Sequence, residues 1–426
     1  PRVIFDAIRF LSRIYRKQKI FQLPIDDPSF RKLAAKDGTE FQKGYSPAFM
    51  SLVNGYMRGA CVSKPERTSA VMWAHLAQDV YKTGDMAFVT GGFQKITDGL
   101  AEKLEGRVMS GAMVSRVEET DGIVTTCFQK DGKEHIIKSK SAVVAVPSPL
   151  VSKLIPALPD WKKEALEKVM YGPLIILSVF LKRDIPWESR PALVLADNLN
   201  FQGVIDTTVI AGDDTSGDNP LIYNFTIAVP PDEKEEIEAL LGKSDEEIVK
   251  RMLNDFKTMM PEVDIDNYIT GTKVTRYPIG ELELSPEYFL ELLPELLKPV
   301  GNIHFCGDYT ETKSFVDGAA YSGMRVARAL GSQNVVSEAE EIKFPKDPKW
   351  ELSGWLTMIC NILLIVCGFF LPPGYGMTMG IGAGVLMALT VVYPSFFPPF
   401  KLVYKVLLGL TIGFGGIVGL LSVLIG

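Results

Sequence analysis

Gly301-Asn-Ile-His-Phe-Cys-Gly-Asp-Tyr-Thr310 is a short apolar run held between two glycines, with a carboxylate directly after the second. Asn302 to Cys306 predicts a short buried strand. Gly307 allows the backbone to approach a neighbour closely, and Asp308 stands at the strand's C-terminal end. Ser314-Phe-Val-Asp-Gly-Ala-Ala-Tyr-Ser-Gly323 then leads into a helix ending near Leu330, with Gly318, Ala319, Ala320 and Gly323 in its first turns. In an open α/β sheet that junction is where ligands bind, and a helix N-terminus favours anionic or electron-rich groups. An ordinary strand–loop–helix unit fits the bare pattern about equally well.

Working outward, Gly91-Gly92 opens a predicted helix with Ile96, Leu100 and Leu104 on one face. Arg107 to Val117 alternates as a strand, Asp121-Gly122 and Asp131-Gly132 mark hairpins, and Ser141–Val146 reads as a strand stopped by Pro147. Residues 1–85 read as helical and interrupted by Pro24, Pro28, Pro47 and Pro65, with Asp27 or Ser29 as a cap. Beyond 150 come an amphipathic helix at Pro159–Tyr171 and an apolar strand at Leu174–Leu181. Two charged-face helices follow, at Glu233–Leu241 and Asp245–Met260, the second opening on a Ser244/Glu247 capping box.

These stretches together resemble the superfamily of FAD-dependent amine oxidases, protoporphyrinogen oxidases and carotenoid desaturases. Cys306-Gly-Asp308 and Val316-Asp-Gly-Ala319 through Ser322-Gly323 are similar to its C-terminal flavin-binding motif; Phe88–Leu104 and the "VVAVP" run at Val143–Pro147 resemble two further segments. The resemblance implies FAD as cofactor. It assigns Gly91, Gly92, Val114, Gly307, Asp308, Phe315, Val316, Gly318 and Ala319 to cofactor binding: Val114 on the adenine side, Asp308 near the ribityl or phosphate, and the Phe315 and Val316 backbone at the flavin pyrimidine. It singles out no catalytic residue. Hydride transfer to a flavin asks for orientation and exclusion of water more than for an acid or base. The family's strand–G-x-G-x-x-G–helix is not found in residues 1–60. Three explanations stay open: the segment lies outside the sequence as given, it sits on a separate partner chain, or flavin binding is lost.

The expected fold class is α/β, with an α+β substrate region interleaved with an incomplete Rossmann-like FAD-binding region, plus C-terminal transmembrane helices. The expected divisions are a helical substrate segment at 1–85, FAD-domain strands and hairpins at 86–150, and a substrate domain at 151–300. A C-terminal FAD strand and helix at 301–335, a linker at 336–352 and a membrane domain at 353–426 complete them.

Composition sets the remaining expectations. The 426 residues carry a net charge of −6 with no basic cluster, which points away from nucleic acid, and five scattered cysteines and three histidines suggest neither a zinc site nor a disulfide framework. Residues 351–426 contain three charged residues, Glu351, Lys401 and Lys405. Their apolar runs Trp355–Leu371, Tyr375–Tyr393 and Leu402–Ile425 are each near the roughly 20 residues that span a bilayer. The lysine distribution then predicts a multi-pass membrane protein with residues 1–350 on the cytoplasmic side. The partners expected are a lipophilic small-molecule substrate, the lipid bilayer, and a chain carrying the missing dinucleotide segment or a larger membrane complex. In the superfamily many amine oxidases carry a lysine on the strand matching Leu174–Leu181; here that register holds Ile176. The departure favours a desaturase or oxidase acting on a lipophilic substrate over an amine oxidase, with a non-catalytic scaffold subunit as a further alternative.

Overall fold

The computed structural model describes residues 2–15, 20, 23–73, 75, 89–186, 193–195, 199–208 and 219–333. The chain divides into two compact units. One holds Pro1–Ala7, Lys19–Trp73 and Phe88–Val335; the other holds Ile8–Gln18, Ala74–Ala87 and Val336–Gly426. The elements that position the candidate site belong to the first.

The described N-terminal residues of the chain are largely helical, as the sequence predicts: α1 (Arg2–Tyr15), α2 (Pro28–Ala34) and α3 (Pro47–Cys61). Asp27 is the cap of α2, its carboxylate accepting the Ser29 N–H at 2.7 Å. After α4 (Gln94–Lys103) a three-stranded antiparallel sheet forms from β1 (Met113–Thr120), β2 (Ile123–Lys130) and β3 (Lys133–Ser139). Both predicted hairpins close it. The strand expected from Arg107 starts six residues later, because the chain first turns at Gly111, whose φ is +72°.

β4 (Ala142–Val144) pairs in parallel with β10 (Ile303–Phe305), the strand predicted from the opening stretch. Between them lie α5 (Ser148–Leu154), α6 (Asp160–Glu167) and a five-stranded sheet. That sheet has the order β6 (Leu193–Leu195), β7 (Gly203–Asp206), β8 (Leu221–Ala228), β5 (Tyr171–Leu181), β9 (Ile269–Leu282). Alternate residues of β5 (Ile175, Leu177, Val179, Leu181) and of β8 (Leu221, Tyr223, Phe225, Ile227) are buried on one face. They pack in one core with Leu240 of α7 (Lys234–Leu241) and with Ile248, Met252, Leu253 and Phe256 of α8 (Asp245–Met259). The Phe225 and Phe256 rings meet edge-on at 5.2 Å. Helix α8 begins with the predicted capping box.

α9 (Leu293–Leu296) ends just before β10, and Lys162 of α6 reaches beneath that junction. Lys162, on the helix the sequence marks as amphipathic, is fully buried. Its Nζ donates to the carbonyls of Glu295 (3.1 Å), Leu296 (2.7 Å) and Lys298 (2.8 Å) and lies 4.1 Å from the Phe305 ring centroid. The chain closes its described part with α10 (Val316–Ala329).

One expectation about the fold needs correction. Among the described residues no helix is long and apolar enough to cross a membrane. The longest, α3 and α8, have 15 residues each, short of the roughly 20 a bilayer requires, and each presents a polar face. The fold class of the described residues is therefore mixed α/β with no transmembrane helix, and they give the expected multi-pass membrane localisation no support. The three apolar runs at 355–371, 375–393 and 402–425 lie outside the described residues.

Candidate functional site

The candidate site forms where the carboxyl end of β10 meets the start of α10. Gly307 has a φ of +135°, a conformation that side chains rarely adopt, and its backbone turns the chain out of the strand. Its N–H donates to Ser322 Oγ at 2.8 Å, and Ser322 in turn donates to the Ala319 carbonyl at 2.6 Å, so the turn is tied to the helix that follows. Thr310 Oγ1 donates to the Gly307 carbonyl at 2.9 Å. Arg325 holds the far side of the loop through Glu311 (3.1 Å) and the Thr310 carbonyl (3.2 Å).

Asp308 is half-buried. Its carboxylate accepts the Tyr309 N–H at 2.8 Å and the Tyr171 hydroxyl at 3.1 Å. Burial pushes its proton affinity above the usual carboxylate range, and those two donors oppose the rise. Burial and the neighbouring Asp308 push the Tyr171 phenol far above its ordinary range, so it remains a donor.

Tyr171 begins β5 opposite Leu282, and Gly172 lies opposite Glu281 near the end of β9. The paired strands thus deliver Tyr171 and Glu281 to the same end of the sheet. Burial pushes the Glu281 carboxyl up to about 8, and the Asp308 charge adds to that shift; the Ser314 hydroxyl and the Leu282 N–H soften it. Glu281 Oε1, Ser314 Oγ and Tyr309 Oη are all buried with no hydrogen-bond partner. Buried polar atoms left unpartnered in this way are what a polar ligand would satisfy.

The predicted residues fall in three places. Gly307, Asp308, Phe315, Val316, Gly318 and Ala319 come together at the β10–α10 junction. Phe315 is the N-cap of α10 and makes no side-chain cap, so the first N–H groups of a 14-residue helix are left for a ligand. Val316 and Ala319 are exposed and Gly318 is buried; a Cβ on Gly318 would sit 2.0 Å from the Lys313 carbonyl oxygen. Gly91 and Gly92 form a positive-φ turn before α4, and Val114 is half-buried in β1, paired with Phe128. Tyr171, Glu281, Ser314 and Tyr309 were not predicted. The first two come from segments 110 residues apart that only β5–β9 pairing joins, and nothing in their local sequence marks them.

The α4 helix has the predicted apolar face, but no residue of it is buried. Phe93, Ile96, Leu100 and Leu104 are 60%, 40%, 58% and 44% exposed. The β4–β10 sheet has two strands among the described residues, and parallel sheets are normally covered on both faces.

The residues present fit one end of a flavin dinucleotide: a carboxylate at a strand end, an uncapped helix N-terminus, a glycine-tight turn and orphaned polar atoms. The profile of the "Flavin containing amine oxidoreductase" family matches residues 6–331. A flavin-containing amine oxidase of Danio rerio is 26% identical over 286 residues, covering 61% of this chain and 51% of that protein. The L-amino-acid oxidase BmooLAAO-I of Bothrops moojeni is 24% identical, covering 57% and 49%. The chain thus spans about half the length of the curated relatives it matches. Among solved structures, a triple mutant of putrescine oxidase aligns with a TM-score of 0.60 at 17% identity, over 77% of this chain and 75% of that one. Cyclohexylamine oxidase from Brevibacterium oxydans aligns with a TM-score of 0.57 at 15% identity, over 76% and 74%. At such identities these structures attest the fold.

Proposed function

The chain belongs to the flavin-containing amine oxidoreductase family, whose cofactor is FAD, and from that premise we propose that it works as an amine-oxidase-type oxidoreductase. The observation that carries the reading is Asp308, held by two donors at the carboxyl end of a parallel strand, on the turn and loop that lead to an uncapped helix N-terminus at Phe315. Bound flavin supplies the hydride acceptor. The chain's own residues bind and orient it: Asp308 and the Gly307 backbone hold the strand-end side, and the α10 N–H groups face its electron-rich edge. Gly91, Gly92 and Val114 serve the same cofactor in this reading. The test is the absorption spectrum of the native protein. A flavin band that bleaches on anaerobic addition of an amine, with peroxide formed when air is readmitted, supports it; a protein with no flavin before or after denaturation removes it.

A second reading keeps the family and changes the substrate. The β5 face turned away from the core carries half-buried Leu174, Ile176 and Phe180, and no lysine lies between Gly172 and Leu181. An apolar strand without a cation suits a lipophilic C–H donor, and the same spectrum bleaching with such a compound but with no amine would select it.

Asp308→Ala is expected to weaken FAD binding at least tenfold, equivalent to about 1.4 kcal/mol, while the denaturation free energy changes by less than about 1 kcal/mol. The asymmetry arises because burial already disfavours the charged carboxylate, so losing it offsets the two lost hydrogen bonds. Equal losses in a titration and a melt would make Asp308 structural.

The exposed α4 face and the open β4–β10 sheet support a partner: a strand–helix segment of the dinucleotide-binding type, whose strand extends the parallel sheet and whose apolar side covers Ile96 and Leu100. The mass of the protein that co-purifies with flavin decides whether that segment shares this polypeptide. Leu100→Glu is expected to leave stability within about 0.5 kcal/mol, as at any exposed position, and to lower flavin occupancy. Unchanged occupancy in the folded variant excludes the docking role.

A further inference from the structure

Two acidic side chains serve the cofactor end of the sheet: Glu281 lies on β9 next to Leu282, which pairs with Tyr171, and the Tyr171 hydroxyl donates to Asp308. Asp308 comes from the turn after β10 and has two donors, the Tyr309 N–H and the Tyr171 hydroxyl. Glu281 comes from β9, and its Oε1 is buried with no partner. Asp308 is the charged group set against Glu281. Ser314 and the Leu282 N–H moderate it, and Ser314 Oγ is buried without closing a hydrogen bond of its own. The donors are therefore divided unequally. Asp308 ionises first, and a second charge on Glu281 would be buried beside it.

We propose that Glu281 is a positioning residue of the flavin site that holds one proton against the Asp308 carboxylate, and that loss of this proton weakens binding of FAD. The inference rests on the reading of this junction as a flavin site. With Glu281 neutral, the pair carries one negative charge, and the carboxyl keeps an O–H to donate toward Ser314 or a ligand. With Glu281 ionised, two negative charges share a site of low dielectric. The phosphate-bearing, electron-rich cofactor is then repelled. Burial first, and the Asp308 charge after it, hold the Glu281 proton up to about 8.

The sign follows for stability as well. The folded carboxyl keeps its proton above the ordinary value of 4.5, where the unfolded chain has released it. The stability this group contributes is full below 4.5, falls as pH rises through the interval, and is gone above about 8.

The experiment takes the native protein together with any dinucleotide-binding segment that co-purifies with its flavin, strips the flavin, and titrates it with FAD from about pH 6 to about pH 9.5, following flavin fluorescence, in the wild type and in Glu281→Gln, whose amide has the carboxyl's shape and no proton to lose. Wild-type affinity is expected to fall about tenfold or more across that range, and the variant's by less than about twofold. Thermal melts of both without FAD read the proton directly: the wild type loses ground to Glu281→Gln as pH rises toward 8, then the difference levels off. FAD binding with an equal pH slope in both proteins overturns the role of Glu281 and leaves the flavin site standing. No FAD binding by the wild type at any pH overturns the flavin reading and this inference with it. A melting difference that does not change with pH overturns the shared proton.

Discussion

Lys162→Met is expected to lower the free energy of unfolding by about 1–3 kcal/mol, the cost of leaving buried carbonyls without their donor, because the burial that disfavours the ammonium offsets part of the loss. Methionine replaces the aliphatic stem with little change of volume, so the loss isolates the Nζ donor. Without it, the carbonyls of Glu295, Leu296 and Lys298 are left without that donor at a helix end. Each orphaned buried acceptor costs about 1 kcal/mol or more, and the cation–π contact with Phe305 is lost too. Denaturant melts at neutral pH measure the effect, and a loss below about 1 kcal/mol would show that water replaces the lysine at no penalty. There is also a pH signature. Burial pushes the ammonium down to about 7; Glu295 opposes this, while Arg325 and Lys298 reinforce it. Between about 7 and the ordinary 10.5 the unfolded chain holds a proton that the folded chain has released. This group therefore adds stability as pH rises through that window, and Lys162→Met removes that rise.

Gly318→Ala is expected to cost about 3 kcal/mol, at the upper end of overpacking penalties, and to abolish flavin occupancy in whatever fraction still folds. The helical backbone at Gly318 is ordinary; the constraint is space. A methyl there would stand 2.0 Å from the Lys313 carbonyl oxygen and 3.1 Å from Lys313 Cβ. Relief requires the 313–317 segment to move away from α10. That segment carries Ser314 and Phe315, so the movement would displace both the orphaned hydroxyl and the helix N-terminus from Asp308. Melting and flavin content together measure it. A variant with wild-type flavin and a wild-type melt would mean that the loop yields freely and that the tight contact has no role in the cradle.

The local signals that were strong in sequence proved strong in structure. Asp121-Gly122 and Asp131-Gly132 close their hairpins, Ser244 and Glu247 cap α8, and the glycine-bounded run at 301–307 is a strand followed by a turn and a helix. Each of these is decided within about ten residues, where turn conformation, capping and apolar period act without help from distant chain. Boundaries slipped where a neighbour decides them. β1 starts at Met113, after the turn at Gly111 and where β2 offers its last partners, and β5 extends back to Tyr171 because β9 runs to Leu282. The α4 helix shows the other limit of reading by period: its apolar face is present, and the described structure leaves it exposed. The membrane expectation rested on apolar runs in 355–425, and no described helix is long and apolar enough to cross a bilayer.

By itself, the sequence determined the order of elements, the position of Asp308 at a strand end, and the family through the motif around it, because all three are written in short-range patterns. Only the tertiary structure decided which groups share Asp308's surroundings. Tyr171 and Glu281 are brought there by antiparallel pairing of strands more than a hundred residues apart, and Lys162 is made a buried clamp by the end of α9. Proton affinities depend on burial and on neighbours a few ångströms away, so the chemistry of this junction belongs to the fold.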